Sequence, residues 1–578
     1  MSKAFPEIHL RKPVSVPAFS SSLDPLLAQI YAARGIADEA QLSTELSQLP
    51  APDMKGLPEA AGLLADAIIA KQKLLIVGDF DCDGATSTAL GVLVLRAMGA
   101  EQVSFLVPNR FEYGYGLTPE IVAVAANQSP DLIITVDNGI SSVDGVLAAA
   151  ELGIPVIVTD HHLPGDHLPA AAAIVNPNQG GCPFPSKALA GVGVMFYVLL
   201  ALRSTLRERN WFVESGIAEP NLADYLDLLA LGTVADVVPL DQTNRILVEQ
   251  GLRRIRAGRC RPGISALLQV AGKDRGRLVA SDLGFAVGPR LNAAGRLDDI
   301  TTGIHLLLTD SSDMALELAA ELNDLNRERR AIEQSMKEEA VAELKKLKFA
   351  SEGIPAGICL YEGSWHQGVV GILASRIKEL YHRPVIAFAD AGEDEIKGSA
   401  RSIEGLHIRD ALDLIAKREP DLLNKFGGHA MAAGLSLSRH NFERFAEVFA
   451  KTVAELVDEA QLQARQLSDG ELKADQLTLE HAELLRSGGP WGQGFPEPVF
   501  HGRFRLVQQR IVGQQHLKMV LSPEDNPQQV VDAIAFFIDP AVWPQPAVEW
   551  VELVYKLDTN LWQQRLSLQF LVEHLRPA

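Results

Sequence analysis

The stretch Leu74-Leu75-Ile76-Val77-Gly78-Asp79-Phe80-Asp81-Cys82-Asp83-Gly84-Ala85-Thr86-Ser87 decides the fold. Four consecutive apolar residues read as a buried strand that stops at a glycine. Three aspartates follow at alternate positions, and a helical pattern begins at once, over Ala85–Met98. One aspartate would suffice to cap that helix. Three carboxylates so close repel one another and resist ionising together unless a cation sits among them. Hard divalent cations favour oxygen ligands, so the stretch predicts a metal site at the carboxyl end of a strand.

The rhythm around this stretch is regular. Strand-like runs at Leu74–Val77, Val103–Val107, Leu132–Val136, Val156–Thr159 and Ala173–Val175 alternate with helical stretches at Glu59–Ala70, Ala85–Met98, Pro119–Asn127 and Ser142–Leu152. Such alternation predicts a parallel α/β sheet covered on both faces. Polar residues follow every strand: Asp79, Asp81 and Asp83; Asn109 and Arg110; Asp137, Asn138 and Gly139; Asp160, His161 and His162; Asn176. Strands of an open parallel sheet end on one edge, where ligands bind, so these groups converge. Further on, Asp236 is a lone carboxylate after the apolar run Leu228–Ala235, costly to bury unless paired or metal-bound.

A chain of 578 residues, 47% hydrophobic and 22% charged, can build several cores. Its longest apolar runs fall short of the ~18 residues of a membrane helix, and residues 1–7 lack a signal-peptide core, which predicts a cytoplasmic protein with no membrane association. Cys82, Cys182, Cys260 and Cys359 have no CxxC spacing, against structural zinc and against a disulfide framework. The net charge is −20, yet between Arg253 and Arg296 ten basic residues meet only Asp274 and Asp282, a net of +8. With few counter-charges interspersed, this segment is a candidate phosphate-binding surface. Within it, Gly288-Pro289-Arg290-Leu291-Asn292-Ala293-Ala294-Gly295-Arg296 suits backbone and guanidinium contacts to phosphate.

From Ser312 to Phe349 a helical pattern runs unbroken by Gly or Pro, long enough at ~55 Å to connect two lobes; clean heptads fail, against a coiled coil. A second α/β domain follows, with strands at Ala356–Leu360 and Pro384–Phe388 and a helix at Ile372–Tyr381. Its Lys397-Gly398-Ser399-Ala400-Arg401 and Gly427–Gly434 stretches place small residues beside Ser, Arg and His, allowing close approach to an anion. Past residue 465 the pattern turns to period two, and five strands in about 110 residues suggest a small OB-like barrel. That barrel is acidic, with nine Lys and Arg against fourteen Asp and Glu from Gln466 onward, so it is a poor main contact for DNA.

Val77-Gly78-Asp79-Phe80-Asp81-Cys82-Asp83-Gly84, Val136-Asp137-Asn138-Gly139, Asp160-His161-His162, Gly232-Thr233-Val234-Ala235-Asp236 and the Gly427-Gly428-His429 to Gly434 stretch together resemble the DHH phosphoesterase superfamily. Within it the chain is similar to the single-strand-specific 5′→3′ DNA exonucleases over nearly its whole length. The resemblance implies an N-terminal segment (1–55), a DHH catalytic domain (56–310), a connecting helix (311–350), a DHHA1 domain (351–460) and an OB-like β-barrel (465–578). It implies two Mn²⁺ or Mg²⁺ ions on Asp79, Asp81, Asp83, Asp137, His161 and Asp236, with Asp137 bridging. Which of the first three aspartates meets each ion stays open. Many members carry a metal-binding His two residues before the first Asp, where this chain has Val77; Asp79 is the candidate to replace it.

By the same resemblance, Asp81, Asp83, Asp137, His161 and His162 are catalytic, and His162 meets substrate phosphate. Arg110, Ser399 and Arg401 surround the 5′-phosphate; Arg290, Arg296 and His429 complete the expected substrate contacts. Two cations would clamp the scissile phosphate and activate water, with no Ser or Cys nucleophile. The implied role is hydrolysis of single-stranded DNA in recombination, DNA repair and mismatch repair. The implied partners are single-stranded DNA, single-strand-binding protein and a RecQ-type helicase, on a monomeric enzyme. A phosphodiesterase of short or cyclic nucleotides needs neither basic track nor barrel. A non-catalytic replication factor would have lost acids that this chain retains.

Overall fold

The computed structural model describes residues 5–13, 19–108, 116–349, 354–392 and 394–578. The chain divides into two compact units, residues 12–326 with 484–497, and residues 1–11 with 327–483 and 498–578.

In the first of these units, five parallel strands stand in the order Gln102–Leu106, Lys73–Gly78, Leu132–Val136, Val156–Thr159, Ala173–Val175. Ile76, Ile133, Ile134, Val158 and their neighbours are completely buried, as expected for strands covered on both faces. The strand earliest in sequence lies between the second and third, so the order reverses beside it. That reversal opens a crevice at the carboxyl edge between Lys73–Gly78 and Leu132–Val136. Val77 is buried in the core with Leu75, Leu117 and Ile133 and is not part of the edge.

The helix expected from Ala85 begins three residues earlier, at Cys82, and runs to Ala97. Asp81 is its cap, its Oδ1 accepting the Gly84 N–H at 3.0 Å. Asp83 therefore sits inside the first helical turn, not in a loop.

One reading of the basic stretch is corrected. Gly288–Leu297 forms an α-helix, so most of its backbone N–H groups are taken up internally and cannot cradle phosphate. The counter-charges missing from the local sequence arrive from elsewhere. Arg253 pairs with Glu45 and Glu249, Arg254 with Asp224, Arg256 with Glu249, Arg261 with Asp310, and Lys273 with Asp282. At least five of the ten cations are thus paired within the unit, so the fold supplies counter-charges that the local sequence lacks.

The Ser312–Phe349 helix is continuous over 38 residues. In the second unit, a five-stranded sheet runs in the order Lys425–Gly428, Ala432–Ser438, Glu395–Arg401, Val385–Asp390, Ile358–Tyr361, antiparallel except for the last pair. Phe388, Phe445 and Phe449 fill its core. Five further strands from Phe500 to Pro577 close a barrel, with Val531–Ala535 beside Arg565–Pro577 as the single parallel pair. The strand Glu7–Leu10 pairs in parallel with Arg465–Ser468, a contact across more than 450 residues that no local pattern signals.

Candidate metal centre

Three loops at the carboxyl edge of the parallel sheet and the end of one helix deliver the expected acids and histidines to one place. After Lys73–Gly78 the chain turns through Asp79 and Asp81; after Leu132–Val136 comes Asp137, in the left-handed conformation at φ 61°. Asn138 ties these two loops together, its Nδ2 donating to the carbonyls of Val77 (3.1 Å) and Val136 (2.9 Å). After Val156–Thr159 come Asp160, His161 and His162, and Asp236 arrives at the end of the Leu226–Ala235 helix.

These side chains form three overlapping groups whose ligand atoms lie within 4.8 Å of one another: Asp79, Asp81 and Asp137; Asp83, His161 and Asp236; Asp137, His161 and His162. His161 Nε2 stands 3.1 Å from Asp137 Oδ1 and 3.5 Å from Asp236 Oδ2. His161 Nε2 and Asp236 Oδ2 are both buried and make no hydrogen bond. Buried polar atoms are ordinarily satisfied, so an imidazole nitrogen and a carboxylate oxygen aimed together with no hydrogen bond fit a cation held between them.

The electrostatics agree. Burial first, and then the charges of Asp83, Asp81, Asp236 and Asp79, push the Asp137 carboxyl well above its ordinary range. Burial and the charges of Asp236 and Asp81 do the same to Asp83. Asp236 is pushed up to about 7, by burial and then by Asp81. Burial and the neighbouring His162 lower His161 to about 4, which keeps its imidazole a neutral ligand near neutral pH. Burial also raises the Cys82 thiol far above its ordinary value, with Asp81, Asp83 and Asp236 adding to it, so no thiolate competes. The oxygen-rich donor set with imidazole fits a hard divalent cation such as Mn²⁺ or Mg²⁺.

Asp83 has a second occupation. Completely buried, its carboxylate accepts the Gly191 N–H at 2.6 Å and the Val192 N–H at 3.0 Å, at the start of the Gly191–Glu208 helix. A Cβ at Gly191 would lie 2.7 Å from Asp137 Oδ1, and one at Gly232 would lie 2.9 Å from Asp83 Oδ1. Two helices approach the acids only because glycine stands at these points.

Asp160, quoted in the DHH motif but given no role by it, organises the histidines. Its carboxylate accepts the N–H groups of Ile140, His161 and His162, and pairs with His162 Nδ1 at 2.8 Å. Burial alone would lower His162, but the Asp160 hydrogen bond and charge outweigh it and raise His162 to about 9. His162 is therefore a cation at neutral pH with about a third of its side chain accessible, suited to a phosphate oxygen. Asn178 and Asn176 hold the His161 and His162 carbonyls, at 2.6 and 2.9 Å.

The expected substrate contacts divide. Arg290 is buried, its guanidinium bonded to Asn323 Oδ1 (3.1 Å) and to the Ala286 carbonyl (2.5 Å). It ties two helices together, with two of its donors committed within the unit. Arg296 is half-buried at the end of the same helix. Arg110 lies outside the described residues.

In the other unit, Ser399 and Arg401 share one face of the Glu395–Arg401 strand. A Cβ at Gly371, near the N-terminus of the Val370–Tyr381 helix, would lie 2.9 Å from Arg401 Nη2 and 3.4 Å from Ser399 Oγ. A hydroxyl, a guanidinium and a helix N-terminus thus meet, a combination suited to a phosphate. His429 is exposed on the adjoining hairpin; its N–H donates to Ala432, which pairs with Arg401.

The acids set a pH dependence. Asp236 keeps its proton in the fold up to about 7, whereas its ordinary value is 3.8. A folded-state value raised in this way makes the metal-free fold lose stability as pH climbs across that window. Metal binding must displace the proton. The rise in melting temperature on adding Mn²⁺ is therefore expected to grow between pH 5 and pH 8, and Mn²⁺ affinity to climb roughly tenfold per pH unit per proton released below pH 7. Calorimetric Mn²⁺ titrations and thermal melts across that range check both. A pH-independent affinity would contradict the ligand assignment.

Comparison with known proteins bears on the same residues. The family model of the DHH family N-terminal domain matches residues 73–233, the DHHA1 domain 355–455 and the RecJ OB domain 468–574. The single-stranded-DNA-specific exonuclease RecJ of Salmonella typhimurium is 56% identical over 96% of both chains, and that of Escherichia coli is 55% identical over 96% of both. The crystal structure of RecJ in complex with Mn²⁺ from Thermus thermophilus superposes with a TM-score of 0.79 at 31% identity, over 99% of this chain and 79% of that one. Sequence identity of this order, sustained across almost the whole length of both partners, makes this chain a member of the RecJ family.

Proposed function

We propose that the chain is a metal-dependent 5′→3′ exonuclease that hydrolyses the phosphodiester bonds of single-stranded DNA. One observation carries the chemistry: His161 Nε2 and Asp236 Oδ2 are buried, close and not hydrogen-bonded, within a ring of acids. Mn²⁺ or Mg²⁺ held by Asp79, Asp81, Asp83, Asp137, His161 and Asp236 would supply a Lewis acid for the phosphate and a bound water of lowered pKa.

The chain's own residues do the rest. His162, kept protonated by Asp160, donates a charge-assisted hydrogen bond to the scissile phosphate and orients it. Asp83 fixes the ligand loop against the Gly191–Glu208 helix. Ser399, Arg401 and the helix N-terminus at Gly371 bind the terminal 5′-phosphate, which sets polarity by making an end the preferred point of entry. Cys82 is buried, consistent with hydrolysis that passes through no covalent enzyme intermediate.

The labour divides along the chain. Residues 56–310 hold the chemistry, 311–350 connect, 351–460 recognise the end, and 465–578 form an OB-like barrel that guides the strand or a partner. Single-strand-binding protein and a RecQ-type helicase are the partners that resemblance suggests. A nuclease confined to single strands needs a duplex opener and meets strands already coated. Among the described residues no helix is long and apolar enough to cross a membrane; a monomeric cytoplasmic enzyme of recombination and repair is the reading that fits.

A length ladder of end-labelled single-stranded DNA with Mn²⁺, Mg²⁺ or chelator tests the proposal. Products are expected to shorten from the 5′ end with either metal and to be absent with chelator. Asp81→Ala and Asp137→Ala should each cut hydrolysis on the order of a thousandfold, several kcal/mol of lost charge stabilisation, with folding retained. Near-normal activity of either variant would sink the metal centre. Arg401→Ala is expected to lower the preference for a 5′-phosphate over a 5′-hydroxyl by about 10- to 100-fold, the worth of a charge-assisted hydrogen bond. An unchanged ratio would remove Arg401 from end recognition.

A further inference from the structure

The Gly288–Leu297 helix, having lost its expected role as a phosphate loop, touches the ligand loop at two points. Asn292 Oδ1 accepts the N–H of Cys82 at 2.7 Å, across 210 positions of sequence. Cys82 is the first residue of its helix, so this N–H has no acceptor within that helix. Almost one turn further on, a Cβ at Gly295 would lie 1.8 Å from the Phe80 carbonyl oxygen, and no other residue fits. Phe80 and Cys82 alternate with Asp79, Asp81 and Asp83, so both contacts grip the backbone that aims the ligands.

The other end of the same helix is anchored. Arg290 Nε donates to Asn323 Oδ1 at 3.1 Å, with both side chains buried. Asn323 belongs to the Ser312–Phe349 helix, which continues into the other unit.

We propose that Gly288–Leu297 is a positioning strut. Asn292 fixes the Asp79–Asp83 turn in its ligand geometry, and the Arg290–Asn323 contact ties that geometry to the start of the connecting helix. Asn292 is a positioning residue, acting through the Cys82 amide rather than on reacting atoms. The inference rests on the metal reading of the Asp79–Asp83 loop, and its test separates the two.

The test is hydrogen exchange of the Cys82 amide in the full-length, metal-free chain, joined to calorimetric Mn²⁺ titration. Asn292→Leu keeps the size and removes the acceptor. It should speed Cys82 exchange about tenfold or more and weaken Mn²⁺ binding by about 10- to 100-fold, as loss of an outer-shell contact does. Asn292→Asp keeps an acceptor oxygen and should restore slow exchange. Asn323→Ala, remote from the loop, should speed exchange in the same direction by a smaller factor.

Wild-type exchange at Cys82 in Asn292→Leu, or equally fast exchange in the Leu and Asp variants, would overturn the role of Asn292. If Asn292→Leu does not fold, Asn323→Ala decides: unchanged exchange and unchanged Mn²⁺ affinity overturn the strut. A wild-type chain that binds no Mn²⁺ would overturn the metal reading, while the exchange measurement, made without metal, still judges the strut.

Discussion

Repulsion among carboxylates at one edge of a parallel sheet is the constraint that the DHH-type unit is built around. Asp79, Asp81, Asp83, Asp137 and Asp236 come together, and burial disfavours the charges of Asp83, Asp137 and Asp236. A fold gathers such groups only if something compensates, and two devices do so locally. Backbone N–H groups are aimed at Asp81, Asp83 and Asp160. A cationic His162 sits against Asp160. The remaining compensation fits a divalent cation, for which His161 Nε2 and Asp236 Oδ2, buried and not hydrogen-bonded, are candidate ligands.

The same constraint explains where glycine is required. Gly191 and Gly232 let two helices reach the acids, and Gly295 lets a third pass over the Phe80 carbonyl. Substitution at any of these would push helix backbone away from the ligands rather than simply fill space. Asp137 itself occupies a left-handed conformation, a strain that the Asn138 hydrogen bonds to the two central strands hold in place.

Much of this was legible in the sequence, for a physical reason. Buried parallel strands are short runs of Val, Ile and Leu, and ligands follow their carboxyl ends, so the strands at Leu132–Val136, Val156–Thr159 and Ala173–Val175 and the polar residues after them could be read directly. The long helix from Ser312 to Phe349 was equally plain, since neither Gly nor Pro interrupts it.

What stayed hidden depends on contacts between distant segments. Nothing local says that Arg253 pairs with Glu45, or that Arg290 bonds to Asn323, so a run of cations looked free when half of it was not. Asp83 read as another ligand, and its grip on the Gly191 and Val192 amides appears only in three dimensions. Asn292 gave no signal beyond standing among small residues. Charge counted along a chain thus says less about a binding surface than charge counted after folding.

The most direct measurement is anomalous diffraction at the manganese edge from crystals of this chain grown with Mn²⁺. The account predicts anomalous density among Asp137, His161 and Asp236, extending to the Asp79–Asp81 side, with His162 outside the inner ligand set. Manganese bound only elsewhere, or none at saturating concentration, would contradict it.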